Sequence, residues 1–185
     1  MKTEMLYERL ANTLNGRHVL WLHKSRRSKM NVTIMDRDEF KAVVLKAKMG
    51  GQDVRRAWKE MQSKDFKWIN QELGYVFIPE WQWSTGVEEL WVGVEVSSFT
   101  QEHEGFEQFI LPKRKYATIK VKGNRKQLNQ TYQYLNEWFK ESEYERDYNQ
   151  GSYGFEANQL NPINPFDIPA DEIDYFDFEI YAPIK

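Results

Sequence analysis

The chain has 185 residues, of which 41% are hydrophobic, and its formal net charge is −2. This length suits one compact domain or two closely packed halves. The chain contains no cysteine, which excludes disulfide bonds, thiolate catalysis and thiolate metal sites and favours a reducing, cytoplasmic location. No apolar run approaches the ~20 residues that a membrane span requires, so we expect no membrane partner.

Charge is divided between the two ends of the chain. Residues 1–75 carry a net charge of +7, whereas residues 76–185 carry −9. The basic cluster at residues 23–29 (HKSRRSK) resembles a phosphate-contact footprint, but no helix-turn-helix pattern accompanies it. The acidic half attracts cations and repels nucleic acid. We therefore expect no direct nucleic-acid partner.

The first half alternates helix and strand signals. Residues 1–29 are expected to form an appendage, with a helix over ~3–14 and the basic loop after it. The elements expected next are a strand at ~30–35, a strand at 40–48, a helix at ~52–73 and an aromatic-rich loop at 75–89.

The second half gives a similar series. The elements expected here are strands at 90–97, 107–111 and 116–122, a helix at ~125–141, and strands at ~152–157 and ~175–182. The segment between the last two strands contains Pro162, Pro165 and Pro169, which exclude a helix. The protein is thus expected to have two halves, at about 30–100 and 105–185, that form one domain over 30–185.

The second half repeats the first in outline. An alternating strand at 40–48 (FKAVVLKAK) leads to a helix, and a second one at 115–123 (KYATIKVKG) does the same. Later, each half has a strand with an acid between apolar residues, at Glu95 and Glu179. A period of roughly 75–85 residues is too long for a solenoid, so we predict two packed copies of one unit with a cleft at their seam.

No specific catalytic motif is present. The sequence lacks the zinc-protease, serine-hydrolase, phosphate-loop and dinucleotide signatures, and its three histidines have no metal-ligand spacing, so neither a metal nor a cofactor is expected. Glu95, Glu156 and Glu179 each lie in a strand among apolar neighbours. A carboxylate that points into an apolar cleft needs a compensating cation or hydrogen bonds, although strand alternation can instead turn it to water.

Several short motifs occur in an order that identifies a family. They are Phe109-Ile110-Leu111-Pro112, Lys115-Tyr116-Ala117, Glu137-Trp138-Phe139, Phe155-Glu156 and the terminal FEIYAPIK at 178–185. Together they resemble the GyrI-like small-molecule-binding domain, which is the effector-binding domain of AraC-type and MerR-type transcription activators. The resemblance implies an α+β fold: tandem β-α-β-β repeats with pseudo-twofold symmetry, antiparallel sheets around a central ligand cleft, and helices packed behind.

The resemblance also implies a ligand site. The family's central acid falls on Glu156, which is expected to face the cleft beside Tyr116 and Tyr153, and Glu179 is secondary. The expected ligand-binding residues are Glu156, Tyr116, Trp81, Trp83, Trp138, Tyr153 and Glu179. Family members commonly have a tyrosine where this chain has Asn158, so the ligand set is expected to differ.

Three functions remain open. The first is binding of an amphipathic, aromatic and often cationic effector by a stand-alone, monomeric protein in drug response or transcription regulation, because the appendage is too short for a DNA-binding domain. The second is hydrolysis of strained, DNA-alkylating cyclopropane compounds with Glu156 as general base. The third is inhibition of a DNA enzyme by acidic mimicry.

Overall fold

The computed structural model describes residues 30–99 and 104–185, which form an eight-stranded antiparallel sheet and two helices. The strands are β1 (Thr33–Arg37), β2 (Phe40–Lys48), β3 (Leu73–Pro79), β4 (Glu89–Glu95), β5 (Glu107–Leu111), β6 (Arg114–Gly123), β7 (Tyr153–Gln159) and β8 (Phe176–Pro183). The helices are α1 (Gly51–Gln62) and α2 (Arg125–Glu141), and neither is long and apolar enough to cross a membrane. The expected N-terminal helix and basic loop lie outside the described residues.

The strand order places two repeats side by side. Across the sheet the order is β1-β6-β8-β7-β3-β4-β2-β5. One half is β2-α1-β3-β4 and the other is β6-α2-β7-β8, and they meet where β3 pairs with β7. The strand before each unit joins the opposite half, since β1 pairs with β6 and β5 pairs with β2. The predicted α+β fold with tandem β-α-β-β repeats is confirmed.

Two short links show that the sheet curls strongly. Only residues 38–39 separate β1 from β2, and only residues 112–113 separate β5 from β6. Each link joins strands that are six places apart in the sheet, which is roughly 29 Å in a flat sheet, but three Cα steps span at most about 11 Å. The two edges must therefore approach each other. An ion pair between Lys113 and Asp38, 2.7 Å long, joins the two links.

The curled sheet has two different faces. The inner, concave face is packed with buried aromatic rings, which are Phe40, Tyr75, Phe77, Trp91, Tyr116, Phe155 and Tyr181. The outer face carries the helices: α1 packs on β2 and β4, and α2 packs on β6. Each helix has its own apolar core, and β3 and β7 lie between the two. A groove between the helices therefore has the two central strands as its floor.

Local sequence explains where the helices begin and end. Asn124 and Gln127 form a capping box at the start of α2. Gly50, with φ of +149°, precedes α1, a conformation that side-chain-bearing residues rarely adopt. The prediction that this helix extends to ~73 is wrong, because the helix ends at Gln62. Trp68 forms an isolated β-bridge with Val96 beside the sheet instead. Here tertiary pairing overrides the helical apolar pattern.

The largest error in the sequence prediction is at the centre of the sheet. Residues 75–89 were expected to be an aromatic-rich loop, but the first of them belong to β3. Tyr75 and Phe77 point to the inner face, while Val76 and Ile78 point to the outer face, and all four are buried. A strand buried on both faces shows no apolar-polar alternation, so periodicity alone does not reveal it.

Candidate functional site: the groove between the helices

Glu156 lies on the outer face at the middle of the sheet. It is in β7, where its neighbours Phe155 and Ala157 point to the inner face. Across the strands, Glu156 pairs with Val76 in β3 and with Ile180 in β8. Val76 belongs to the core under α1 and Ile180 to the core under α2. The carboxylate is therefore on the groove floor, at the boundary between two apolar cores.

Tyr132 of α2 is the hydrogen-bond partner of this carboxylate. Its hydroxyl donates a hydrogen bond to Oε1 of Glu156. Burial raises the pKa of Glu156 to about 7, and the hydrogen bond from Tyr132 opposes that shift. The side chain thus titrates near neutral pH, in a place where its charge is only partly compensated.

Trp83 closes one side of the groove. It follows the 3₁₀ turn Glu80–Gln82, is only partly buried, and packs against the cores under both helices. Its ring centroid lies 6.4 Å from that of Tyr132. Asn158 is buried on the same side of β7 as Glu156, and its amide donates to the Glu156 backbone oxygen at 3.3 Å. The groove thus combines an acid, two aromatic walls and an apolar floor.

Other predicted site residues lie on the inner face, which corrects the expectation that Glu156 faces Tyr116 and Tyr153. Tyr116 is 1% exposed and packs edge-on against Phe155. Tyr153 contacts Trp81 at 5.1 Å between ring centroids. The reason is strand alternation: these positions in β6 and β7 point away from the helices, whereas Glu156 points towards them.

Two further predicted residues also lie apart from Glu156. Glu179 is on the inner face of β8, where it accepts a hydrogen bond of 2.8 Å from the Tyr181 hydroxyl. Trp138 is near the end of α2 and stacks on Tyr144 at 5.8 Å. The structure therefore brings Glu156 and Trp83 together and separates them from Tyr116, Trp81, Trp138, Tyr153 and Glu179. Ligand contacts at those five positions stay predictions.

Sequence reasoning missed Tyr132 as a site residue. Tyr132 shares the spacing of Trp58 in the first repeat, which predicts a core position, and it is indeed buried. The sequence did contain a usable signal, because successive side chains of a strand point to opposite faces. Since Phe155 points to the inner face, the next residue, Glu156, must point towards the helices. Among the described residues, no group of three or more His, Asp or Glu side chains could hold a metal ion.

The matching family model is that of the Cass2 integron-associated effector-binding proteins, and it covers residues 33–184. The chain belongs to this family. The predicted GyrI-like effector-binding domain is thereby confirmed, and with it the general class of small-molecule binding. No curated protein sequence matches the chain.

Three solved structures illustrate the shared fold. The C-terminal domain of EcmrR has a TM-score of 0.63 and 13% identity, covering 85% of this chain and 98% of its own. SAV2435, solved bound to tetraphenylphosphonium, has a TM-score of 0.57 and 15% identity, covering 84% and 94%. A hydrolase encoded by lin2189 from Listeria innocua has a TM-score of 0.52 and 8% identity, covering 83% and 91%. At these identities the likeness shows the fold alone.

Proposed function

We propose that the protein binds an amphipathic aromatic cation in the groove, with Glu156 as the counter-charge. The observation that carries this is the state of that carboxylate, which lies between two apolar cores and forms no ion pair with a described lysine or arginine. A partly desolvated carboxylate without a cation is costly. A ligand cation relieves that cost, and the Trp83 and Tyr132 rings add cation–π attraction of roughly 0.5–2 kcal/mol each.

The role that follows is that of an effector-binding protein in drug response or transcription regulation. SAV2435 has the same fold and was solved with tetraphenylphosphonium, an aromatic cation whose charge is hidden among phenyl rings. That ligand is therefore a suitable probe for this chain. Its neutral counterpart, triphenylphosphine oxide, has similar rings without the charge.

The test is calorimetric titration of both probes into the wild type and Glu156→Gln. Loss of a charge-assisted contact of about 1.5–3 kcal/mol should weaken tetraphenylphosphonium roughly tenfold to over a hundredfold. Binding of triphenylphosphine oxide should change little, because glutamine preserves the shape. The matched control is Glu179→Gln, which removes an acid from the inner face and should leave both affinities unchanged.

Two results contradict the proposal. Equal losses for the charged and neutral probes would show that Glu156 acts through shape. An effect of Glu179→Gln in place of Glu156→Gln would move the site to the inner face.

Inhibition of a DNA enzyme stays a separate prediction, which a native pull-down tests. The monomeric state is also a prediction, and light scattering tests it.

Hydrolysis is the second candidate, favoured by one feature of the groove. A carboxylate with a pKa of about 7 beside a tyrosine hydroxyl suits general-base activation of water near neutral pH. Mass spectrometry of a cyclopropane substrate after incubation distinguishes the two functions, since only an enzyme adds water to it. If the protein is a hydrolase, Glu156→Gln should abolish turnover and leave substrate affinity nearly unchanged.

A further inference from the structure

The segments that follow the two central strands pack on opposite helices. The segment after β3 carries Trp83, whose ring faces Tyr132 on α2. The segment after β7 carries Phe166, whose ring faces Trp58 on α1. Tyr132 and Trp58 occupy matching positions in the two repeats. Each half thus lays an aromatic ring against the helix of the other half.

The two ring pairs differ in how tightly they close. Phe166 and Trp58 are stacked, with centroids 4.4 Å apart and planes 20° apart, and both are buried. Trp83 and Tyr132 are 6.4 Å apart and tilted by 47°, and Trp83 is partly exposed. A flat ring that is inserted between two others needs about 7 Å between the outer rings, because carbon atoms pack about 3.5 Å apart. The second pair is therefore the more open one: its centroid separation is close to this value, and the Trp83 ring must turn towards parallel before one flat ring can enter.

A buried ion pair holds Trp83 in this position. Arg146 donates from Nε and Nη2 to the carboxylate of Glu80, at 2.7 and 3.0 Å. Its guanidinium group lies 5.1 Å from the centroid of the Trp83 ring, and the Trp83 backbone N–H donates to the Glu80 carbonyl at 3.2 Å. Both charged side chains are at most 5% exposed.

Buried ion pairs seldom add net stability over apolar residues of similar size. Here the pair instead fixes a geometry, because a bidentate guanidinium allows one orientation where an ammonium allows many. The side chain of Glu80 also occupies space beside Gly154, where a Cβ atom would lie 2.1 Å from Oε1 of Glu80. Because Gly154 in β7 has no side chain, the carboxylate of Glu80 fits beside it.

We propose that Glu80 and Arg146 are positioning residues, which hold Trp83 beside Tyr132 so that a turn of its ring admits a flat aromatic cation, and the groove thereby selects flat aromatic cations over bulky ones. This inference rests on the proposed function, since it names the ligand shape that the same groove takes. Flat cations stack between the two rings while their charge meets Glu156. Bulky cations must displace Trp83 and its ion pair.

The experiment compares two cations by calorimetric titration: proflavine, which is flat, and tetraphenylphosphonium, which is bulky. The wild type should bind proflavine at least about tenfold more tightly. In Arg146→Lys this preference should fall to within about threefold, mainly through weaker proflavine binding. Trp83→Phe leaves the buried ion pair intact and should lower the preference in the same way. The matched control is Arg37→Lys, which alters an ion pair on the inner face and should keep the wild-type ratio.

The outcomes separate the two proposals. If the wild type binds neither cation, the proposed function is wrong. If it binds both but prefers the bulky one, or if Arg146→Lys and Trp83→Phe keep the wild-type ratio, the function stands and the positioning role is overturned. If Arg146→Lys does not fold by circular dichroism, the ratio measured for Trp83→Phe decides. A loss of stability alone does not change the ratio of two affinities measured on the folded protein.

Discussion

Glu95 on the inner face of the sheet and Glu156 on the outer face are in opposite situations. On the inner face, Glu95 accepts a hydrogen bond of 3.2 Å from Arg37 and one of 3.1 Å from the Tyr75 hydroxyl. The Arg37 guanidinium also lies 4.3 Å from the centroid of the Phe40 ring. On the outer face, Glu156 has a tyrosine hydroxyl but no paired cation among the described residues. The inner acid Glu95 is paired by the chain itself, whereas the outer acid Glu156 is the counter-charge of the proposed ligand site.

The faces also differ in how their rings are used. Phe155 is 1% exposed, stacks on Tyr181 at 4.3 Å, and lies within 6 Å of Phe40, Phe77 and Tyr116. Most of the aromatic rings described on that face are held in mutual packing. One residue later, Glu156 faces the space between the helices. The abundant rings of the inner face therefore belong to the stable core, and Glu156 belongs to the proposed site.

The largest expected effect comes from opening the inner face. Phe155→Ala removes the ring at the centre of the aromatic cluster and should lower the free energy of unfolding by about 3–5 kcal/mol. Affinity for tetraphenylphosphonium, measured on the folded protein, should change less than about threefold. Urea denaturation and calorimetric titration check the two halves of this prediction. A stable variant with lost affinity would show that the inner face holds the ligand.

The second expected effect is a pH dependence of stability from the outer face. The pKa of Glu156 is raised from 4.5 to about 7 on folding, so the folded state holds this proton more tightly than the unfolded state. Its contribution to stability is therefore fully present below pH 4.5 and is lost as pH rises through about 7. Relative to Glu156→Gln, the wild type should lose about 2–3 kcal/mol between about pH 5 and about pH 8.

Urea denaturation of both proteins at several pH values measures that difference. Glu95→Gln is a useful comparison, since the acid it removes already has Arg37 beside it. A difference between wild type and Glu156→Gln that stays constant with pH would mean that the groove solvates the carboxylate well. A difference that grows in favour of the wild type at high pH would point to an unrecognised cation beside it.

The sequence predicted the fold better than it predicted the site. The strand and helix signals are local, so the strand that leads into a helix was found in both halves, while the β-α-β-β topology came from the resemblance to the family. The central strand β3 was missed because both of its faces are apolar. The motif Phe155-Glu156 pointed to the acid of the proposed site, but the partners of that acid depend on which face each strand presents. The family motif predicts that Tyr116 and Tyr153 lie beside Glu156, but both residues lie on the inner face of the sheet.

The smallest expected effect isolates the hydrogen bond between α2 and the acid. The Tyr132 hydroxyl donates to Glu156 and lowers its pKa, so Tyr132→Phe should raise that pKa further. Tetraphenylphosphonium keeps its charge at every pH, and its affinity should rise as Glu156 ionises. The midpoint of that rise should therefore move from about 7 in the wild type to a higher pH in the variant. Titrations from about pH 6 to about pH 9 measure both midpoints, and Tyr153→Phe on the inner face is the matched control. Identical midpoints in Tyr132→Phe and the wild type would show that the hydroxyl does not control the charge of the groove.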